Sequence, residues 1–225
     1  MKAALGRPMK TFRSAASRLL GLSLLCALLA PAAPAATIAD SVADWSTTGT
    51  QGQNGWRNGY YNYTTDSNHT YQTGDFIQFA SQYWTGTQWD LLAESAGPWT
   101  ELGQESTHPN GTNSAPGEEH WTVRRWVSDY AGEVVLRWHL RKANSGCGNG
   151  VGGRLFVGGT EVDSAVISGT DATGIERYVI RTISVGTLID LACTPNGEDG
   201  CDGSAFWLKV DDDLSGLPDA DGDGV

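Results

Sequence analysis

Basic residues are scarce in this chain, with 15 Lys and Arg against 26 Asp and Glu in 225 residues. Five of the fifteen (Lys2, Arg7, Lys10, Arg13 and Arg18) fall before residue 19 with no acid among them. Past that point ten bases face 26 acids, a net charge of about −16. So acidic a body excludes phosphate-backbone binding as a general mode, and nucleic acid with it. Long apolar runs are lacking too: the one candidate, LLGLSLLCALLA, is too short to span a bilayer comfortably. Local signatures of catalysis are also missing. There is no H-E-x-x-H, no P-loop, and no G-x-S-x-G after residue 36. Glu118 and Glu119 precede His120 in EEHW, but no second ligand follows at a zinc interval. Glu94, Glu101 and Glu105 read as solvated loop carboxylates, so the body is expected to be non-catalytic.

The opening segment has three parts. A basic stretch, MKAALGRPMKTFRSAASR, leads into the short apolar run, and PAAPAA then offers small residues for cleavage near Ala35 or Ala36. That is the form of a secretory signal over residues 1–36, and it predicts a secreted or cell-surface protein without a membrane span. An exported protein can form disulfides. Of Cys147, Cys193 and Cys201, the last two flank a Pro-Asn-Gly turn in CTPNGEDGC, so Cys193–Cys201 is the preferred pairing. It would contribute roughly 2–3 kcal/mol if unstrained. The alternative is that Cys147 takes one of the two and releases the other.

Helical periodicity is absent from the rest, and short alternating runs broken by Gly, Asn, Asp and Ser replace it. In EVVLRWHLR, Leu136, Trp138 and Leu140 point one way, with Arg137, His139 and Arg141 opposite. SAFWLKVDD alternates likewise through Phe206, Leu208 and Val210. RLFVGGTEV turns at Gly158-Gly159, and RYVIRTISVGTLIDLAC breaks at Gly186. The pattern predicts an all-β, two-sheet antiparallel jelly-roll sandwich with long loops over residues 37–212. Within it, DFIQFASQYW reads as a strand and WTVRRWVSDYAGEVVLRWHL as strand, tight turn and strand. GPWTELGQESTHPNGTNSAPGEEH reads as one long surface loop.

Nine tryptophans are present, several set among Gly, Asn and Thr. Trp56, Tyr60, Tyr61 and Tyr63 cluster in GWRNGYYNY, with Trp84 and Trp89 in YWTGTQWD. Flat apolar rings beside amides and hydroxyls suit sugars, which present C–H faces and hydroxyl groups. These six rings, with Asn54, Asn58 and Asn62, form the candidate glycan platform, against the reading that they fill the core.

The stretches DSVADWSTTGTQGQNGWRNGYYN, HWTVRRWVSDYAGEVVLRWHL and CDGSAFWLKV resemble exported bacterial jelly-roll modules of the carbohydrate-binding, galactose-binding-like kind. The resemblance implies a glycan-binding module, with a structural or adhesive module that contacts a surface or matrix protein as the alternative. A polysaccharide-degrading enzyme is a distant third. The tail, LPDADGDGV, is similar to the start of a thrombospondin type 3 repeat, in which aspartate-rich loops chelate calcium. By that match Asp219, Asp221 and Asp223 are candidate Ca2+ ligands, residues 213–225 are a linker and the front of such a repeat, and a longer protein is expected. Three monodentate carboxylates fall short of the six to eight oxygens calcium prefers, so weak binding is expected. Asp40, Asp44, Asp202 and Asp211 would meet only if the terminal strands pair, and strand-end solvation is the simpler reading.

Overall fold

Period-two patterning carries the architecture. In the computed structural model, which describes residues 36–93 and 96–213, the chain builds two antiparallel sheets. The seven-stranded sheet holds β1 (Thr37–Asp40), β4 (Trp89–Asp90), β5 (Glu101–Leu102), β6 (Ser106–His108), β8 (Gly132–Lys142), β11 (Ile175–Ile183) and β13 (Ser204–Asp211). Its order is β11-β8-β13-β6-β5-β4, with β1 also paired to β13. The six-stranded sheet holds β2 (Trp56–Asn62), β3 (Ile77–Gln78), β7 (His120–Val127), β9 (Val151–Val157), β10 (Thr160–Ile167) and β12 (Leu188–Thr194), in the order β10-β9-β12-β7-β2-β3. The expected two-sheet antiparallel jelly-roll sandwich is what the chain forms. Among the described residues no helix is long and apolar enough to cross a membrane. The signal segment, all but Ala36 of it, lies outside the described residues. So do Glu94 and the tail aspartates Asp219, Asp221 and Asp223.

Alternation fills the space between the sheets. Leu136, Trp138 and Leu140 from β8 and Phe206, Leu208 and Val210 from β13 meet Leu155, Ile189, Leu191 and Trp126 from the other sheet. Arg124 shares this interior. It donates to the carbonyls of Gly103 (2.6 Å) and Gln104 (2.8 Å) and lies 4.7 Å over the Phe206 ring. Complete burial pulls its guanidinium down to about 9.

Several local expectations are corrected. WTVRRWVSDYAGEVVLRWHL does give two strands, β7 and β8, but they belong to opposite sheets, so the connection at 128–131 carries the chain across the sandwich instead of turning tightly back. Both strands need an inward face, and pairing one with the other was not required to supply it. DFIQFASQYW yields only the two-residue β3, because Phe79 turns into the core and residues 81–83 coil into a 3-10 turn. The stretch assigned to one long loop contains β5 and β6, pinned by fully buried Leu102 and by Thr107. The terminal strands do pair, yet Asp40 binds Lys209 at 3.0 Å while Asp202 binds Lys142. Among the described residues no three of His, Cys, Asp or Glu converge as metal ligands.

The disulfide joins Cys147 to Cys201, with Cα atoms 5.7 Å apart, and not Cys193 to Cys201. Cys193 is a free, buried thiol on the inner face of β12. Strand alternation commits its side chain to the core, whereas Cys201 lies beyond the strand end and faces the loop that carries Cys147. Burial pushes the Cys193 thiol up, which keeps it protonated and unreactive.

One polar clasp ties the sheets together at their edge. Asp163 of β10 accepts from Arg177 of β11 (2.6 and 2.8 Å) and from the Trp138 indole (2.9 Å). Burial alone would raise the Asp163 carboxyl, but the Arg177 and Trp138 donors outweigh it and hold it below the usual range. Such a carboxylate stabilises the fold above its unfolded pKa, and the contribution is lost as pH falls through the folded value. Asp163→Asn should therefore cost about 1–2 kcal/mol near neutrality, at the low end because Arg177 is partly exposed. Thermal melts at about pH 7 and about pH 3 should show the gap from wild type closing on acidification; an unchanged gap would contradict the clasp.

Candidate functional site

The outer face of the six-stranded sheet is built by every second residue. On β7 these are Trp121, Val123 and Arg125, and on β9 they are Gly152, Arg154 and Phe156. Thr194 and Ala192 of β12 pair with Gly152 and Arg154, and Val166 and Ser164 of β10 flank the same two residues on the other side. A sheet face this apolar at its centre needs cover. The segment after β2 supplies it: Tyr71 is buried in a second cluster with Tyr61, Trp121, Val123, Phe156 and Ala192, and Tyr63 and Phe76 pack against it. That is why residues 120–126 are buried on both faces.

A charged network holds the covering segment down. Arg125 donates to both oxygens of Asp190 (2.7 and 2.8 Å), and to the Tyr71 hydroxyl and the Thr73 carbonyl. Tyr71 in turn donates to Asp190 at 2.8 Å. Burial works against the Arg125 charge, but Asp190 and Tyr71 hold its guanidinium above the ordinary range. The Tyr71 phenol is pushed up by burial and by Asp190, so it stays a donor.

Where the cover stops, a groove of about 510 Å³ opens. Gly152 and Thr194 lie along its floor; a Cβ at Gly152 would meet Thr194 Oγ1 at 2.5 Å, so glycine keeps the floor low. One wall is a stack of four groups. The Arg154 guanidinium lies 5.1 Å over Trp121, Trp121 stacks on Tyr63 (5.4 Å, 16° between planes), and Tyr63 meets His69 at 4.5 Å. Polar contacts fix the members: the Trp121 indole donates to Glu119 (2.6 Å), Arg154 donates to Glu161 (2.8 Å), and His69 Nδ1 lies 2.9 Å from the Tyr63 carbonyl. The opposite rim carries Ser164 and Val166, with Asn196 also lining the groove. A second hollow of about 260 Å³ shares His69, Trp121 and Arg154, so the stack forms a ridge between two depressions.

Of the six rings expected to form a platform, the groove takes only Tyr63. Trp56 (5% exposed) and Trp89 (2%) are core residues, and Tyr61 (1%) lies under the cover, so none of these three presents a face to solvent. Tyr60 is half-buried against Phe79 and His120, and Trp84 against Trp45 and Trp89. The physical reason is alternation: Trp56, Asn58 and Tyr60 point inward from β2, and Tyr61 is overlaid by Tyr71. Of the asparagines beside them, Asn54 donates to Asp44 (3.1 Å) and Asn62 to Glu118 (2.7 Å), while the Gln51 side chain bonds the backbone of Asn58. Trp121, Arg154, His69 and Gly152 were not singled out. The alternation of HWTVRRWV and the glycine pair before Arg154 were their only sequence signals.

No protein-family model matches the chain, and no curated protein matches it. Solved structures do show likeness. CBM51 from Clostridium perfringens GH95, in complex with methyl-galactose, superposes with a TM-score of 0.33 at 14% identity over 55% of this chain and 78% of that one. A family 35 carbohydrate binding module from Clostridium thermocellum gives 0.29 at 17% identity, over 40% and 68%. The C-terminal CBM6 of LamC from Zobellia galactanivorans gives 0.28 at 9% identity, over 47% and 89%. These overlaps are partial, and none bears on what this chain binds.

Proposed function

We propose that the domain is a non-catalytic glycan-binding module and that the groove on the outer face of the six-stranded sheet is its site. The observation that carries the reading is the amphipathic lining of a groove of about 510 Å³. Aromatic groups stand beside Glu119, Arg154, Ser164, Thr194 and Asn196, the mixture of C–H contact and hydrogen bonding that a pyranose requires. The Arg154 side chain is 41% exposed and held by a surface ion pair, a weak restraint, so it can swing aside and bare the Trp121 face. Export is part of the proposal, supported by the three-part leader over residues 1–36 and by the Cys147–Cys201 bridge. So is weak calcium binding by Asp219, Asp221 and Asp223, which calcium titration of the full chain against a triple Asp→Asn variant would test.

The test of the site is retention on a panel of insoluble and gel-immobilised polysaccharides. Ser164→Arg fills the exposed rim, Tyr63→Ala shortens the stack, and Trp207→Ala, on the opposite sheet, is the control. At least one polymer should retain the protein, both groove variants should weaken retention by about tenfold or more, and the control should not. A calcium chelator should leave retention intact. Retention on no polymer, or loss only with Trp207→Ala, would sink the assignment. It would leave an adhesive module, a reading favoured by Val166, 63% exposed on edge strand β10.

A further inference from the structure

Lys142 ends β8 and pairs in register with Ser204, where β13 begins. Its side chain is wholly buried, as is that of Asp202, and the two meet at 2.9 Å between Nζ and Oδ1. Nζ also donates to the Cys201 carbonyl at 2.6 Å, which aims the amine at the Asp202 carboxyl. The second carboxyl oxygen, Oδ2, is buried with no hydrogen-bond partner. As an ion pair this is a poor arrangement. Two charges have been taken out of water, and one of the lone-pair sites that should offset that loss is unused. Burial, aided by the nearby Asp199 and Glu198, pushes the Asp202 carboxyl up to about 7 despite its Lys142 partner. Near neutrality much of it is then a neutral acid, the form that can acylate an amine. Amine and acid are held in contact, out of water, where β8 ends and just before β13 begins, conditions under which a slow bimolecular condensation becomes an efficient internal one.

We propose that Lys142 and Asp202 condense to an intramolecular isopeptide bond. Proton transfer within the pair gives a neutral amine and a neutral carboxylic acid. The Nζ lone pair attacks Cγ of Asp202, the N–C bond forms and the Cγ–Oδ2 bond breaks. The departing oxygen leaves as water, carrying the carboxyl proton and one amine proton. The step needs no oxidant, cofactor or co-reactant. Its product is a neutral amide that removes both buried charges and the unpartnered oxygen together, and its remaining N–H still has the Cys201 carbonyl as acceptor. The bond would lie beneath the Cys147–Cys201 bridge and join the same two segments from the core side.

Mass spectrometry of the reduced and denatured protein tests this directly. Its intact mass should be one water below that of the processed sequence. Trypsin should fail to cut after Lys142, and a branched peptide should link the segment holding Lys142 to that holding Asp202. Asp202→Ala should restore the full mass. A full sequence mass with unmodified linear peptides overturns the proposal. So does a missing water traced to a succinimide at Asp202-Gly203, which would leave Lys142 open to trypsin and be cleaved by hydroxylamine. The wild-type measurement decides the matter even if the variant folds poorly, and it is independent of any glycan result.

Discussion

Asp190→Ala should lower the unfolding free energy by about 3–5 kcal/mol, because it leaves the buried Arg125 guanidinium without its counter-charge. Asp190 is fully buried and accepts two bonds from Arg125 and one from Tyr71. Nothing else within that network carries negative charge, so the freed cation must draw in water or pull the covering segment away from the sheet. Either outcome loosens the chain that brings Tyr63 and His69 to the groove, so the variant should lose glycan retention as well as stability. Urea denaturation reads the first effect and the polysaccharide panel the second. The pair itself contributes little net stability, since burying both charges costs about what their attraction returns. A double replacement, Arg125→Met with Asp190→Leu, should therefore recover most of the stability while leaving the cover less well placed. A loss under about 1 kcal/mol in the single variant would show that the network is solvated and does not hold the cover.

Cys201→Ser should cost about 4 kcal/mol, close to the chain-entropy value for a bridge spanning 54 residues. The same substitution would remove only roughly 2–3 kcal/mol had Cys201 closed the short loop to Cys193. Chemistry separates the pairings more sharply than energy does. Alkylation of the unreduced, denatured protein, followed by digestion, should place the label within the body on Cys193, with Cys147 and Cys201 protected. Label on Cys147 would restore the short-loop pairing and contradict the structure. In the native state Cys193 should resist the same reagent, because it is buried among core side chains and its thiol is held protonated.

Strand alternation in EVVLRWHLR and SAFWLKVDD predicted which residues face the core, and Leu136, Trp138, Leu140, Phe206, Leu208 and Val210 are all fully buried. The turn at Gly158-Gly159 joins β9 to β10 as expected, and the break at Gly186 separates β11 from β12. The same alternation was silent on which sheet a strand joins. That silence hid the crossing of the chain from one sheet to the other between β7 and β8. Aromatic density misled for a related reason. A ring beside Asn and Gly suits a sugar and suits a core edge equally, and only the overlay of Tyr71 on Tyr61 decides between them. Arg124 and Arg125 show the limit most clearly. Adjacent and chemically identical, they point to opposite faces of β7, one into the sandwich and one into the network under the cover.

Composition, alternation and turn residues by themselves determined an acidic, all-β body with its core positions marked, because those properties are local and have a period of two. The tertiary structure alone decided the cysteine pairing, the three-residue network around Asp190, the Lys142–Asp202 contact and the groove beside Trp121. Each depends on residues far apart in the chain being brought within a few ångströms by strand order, and no local pattern encodes that order.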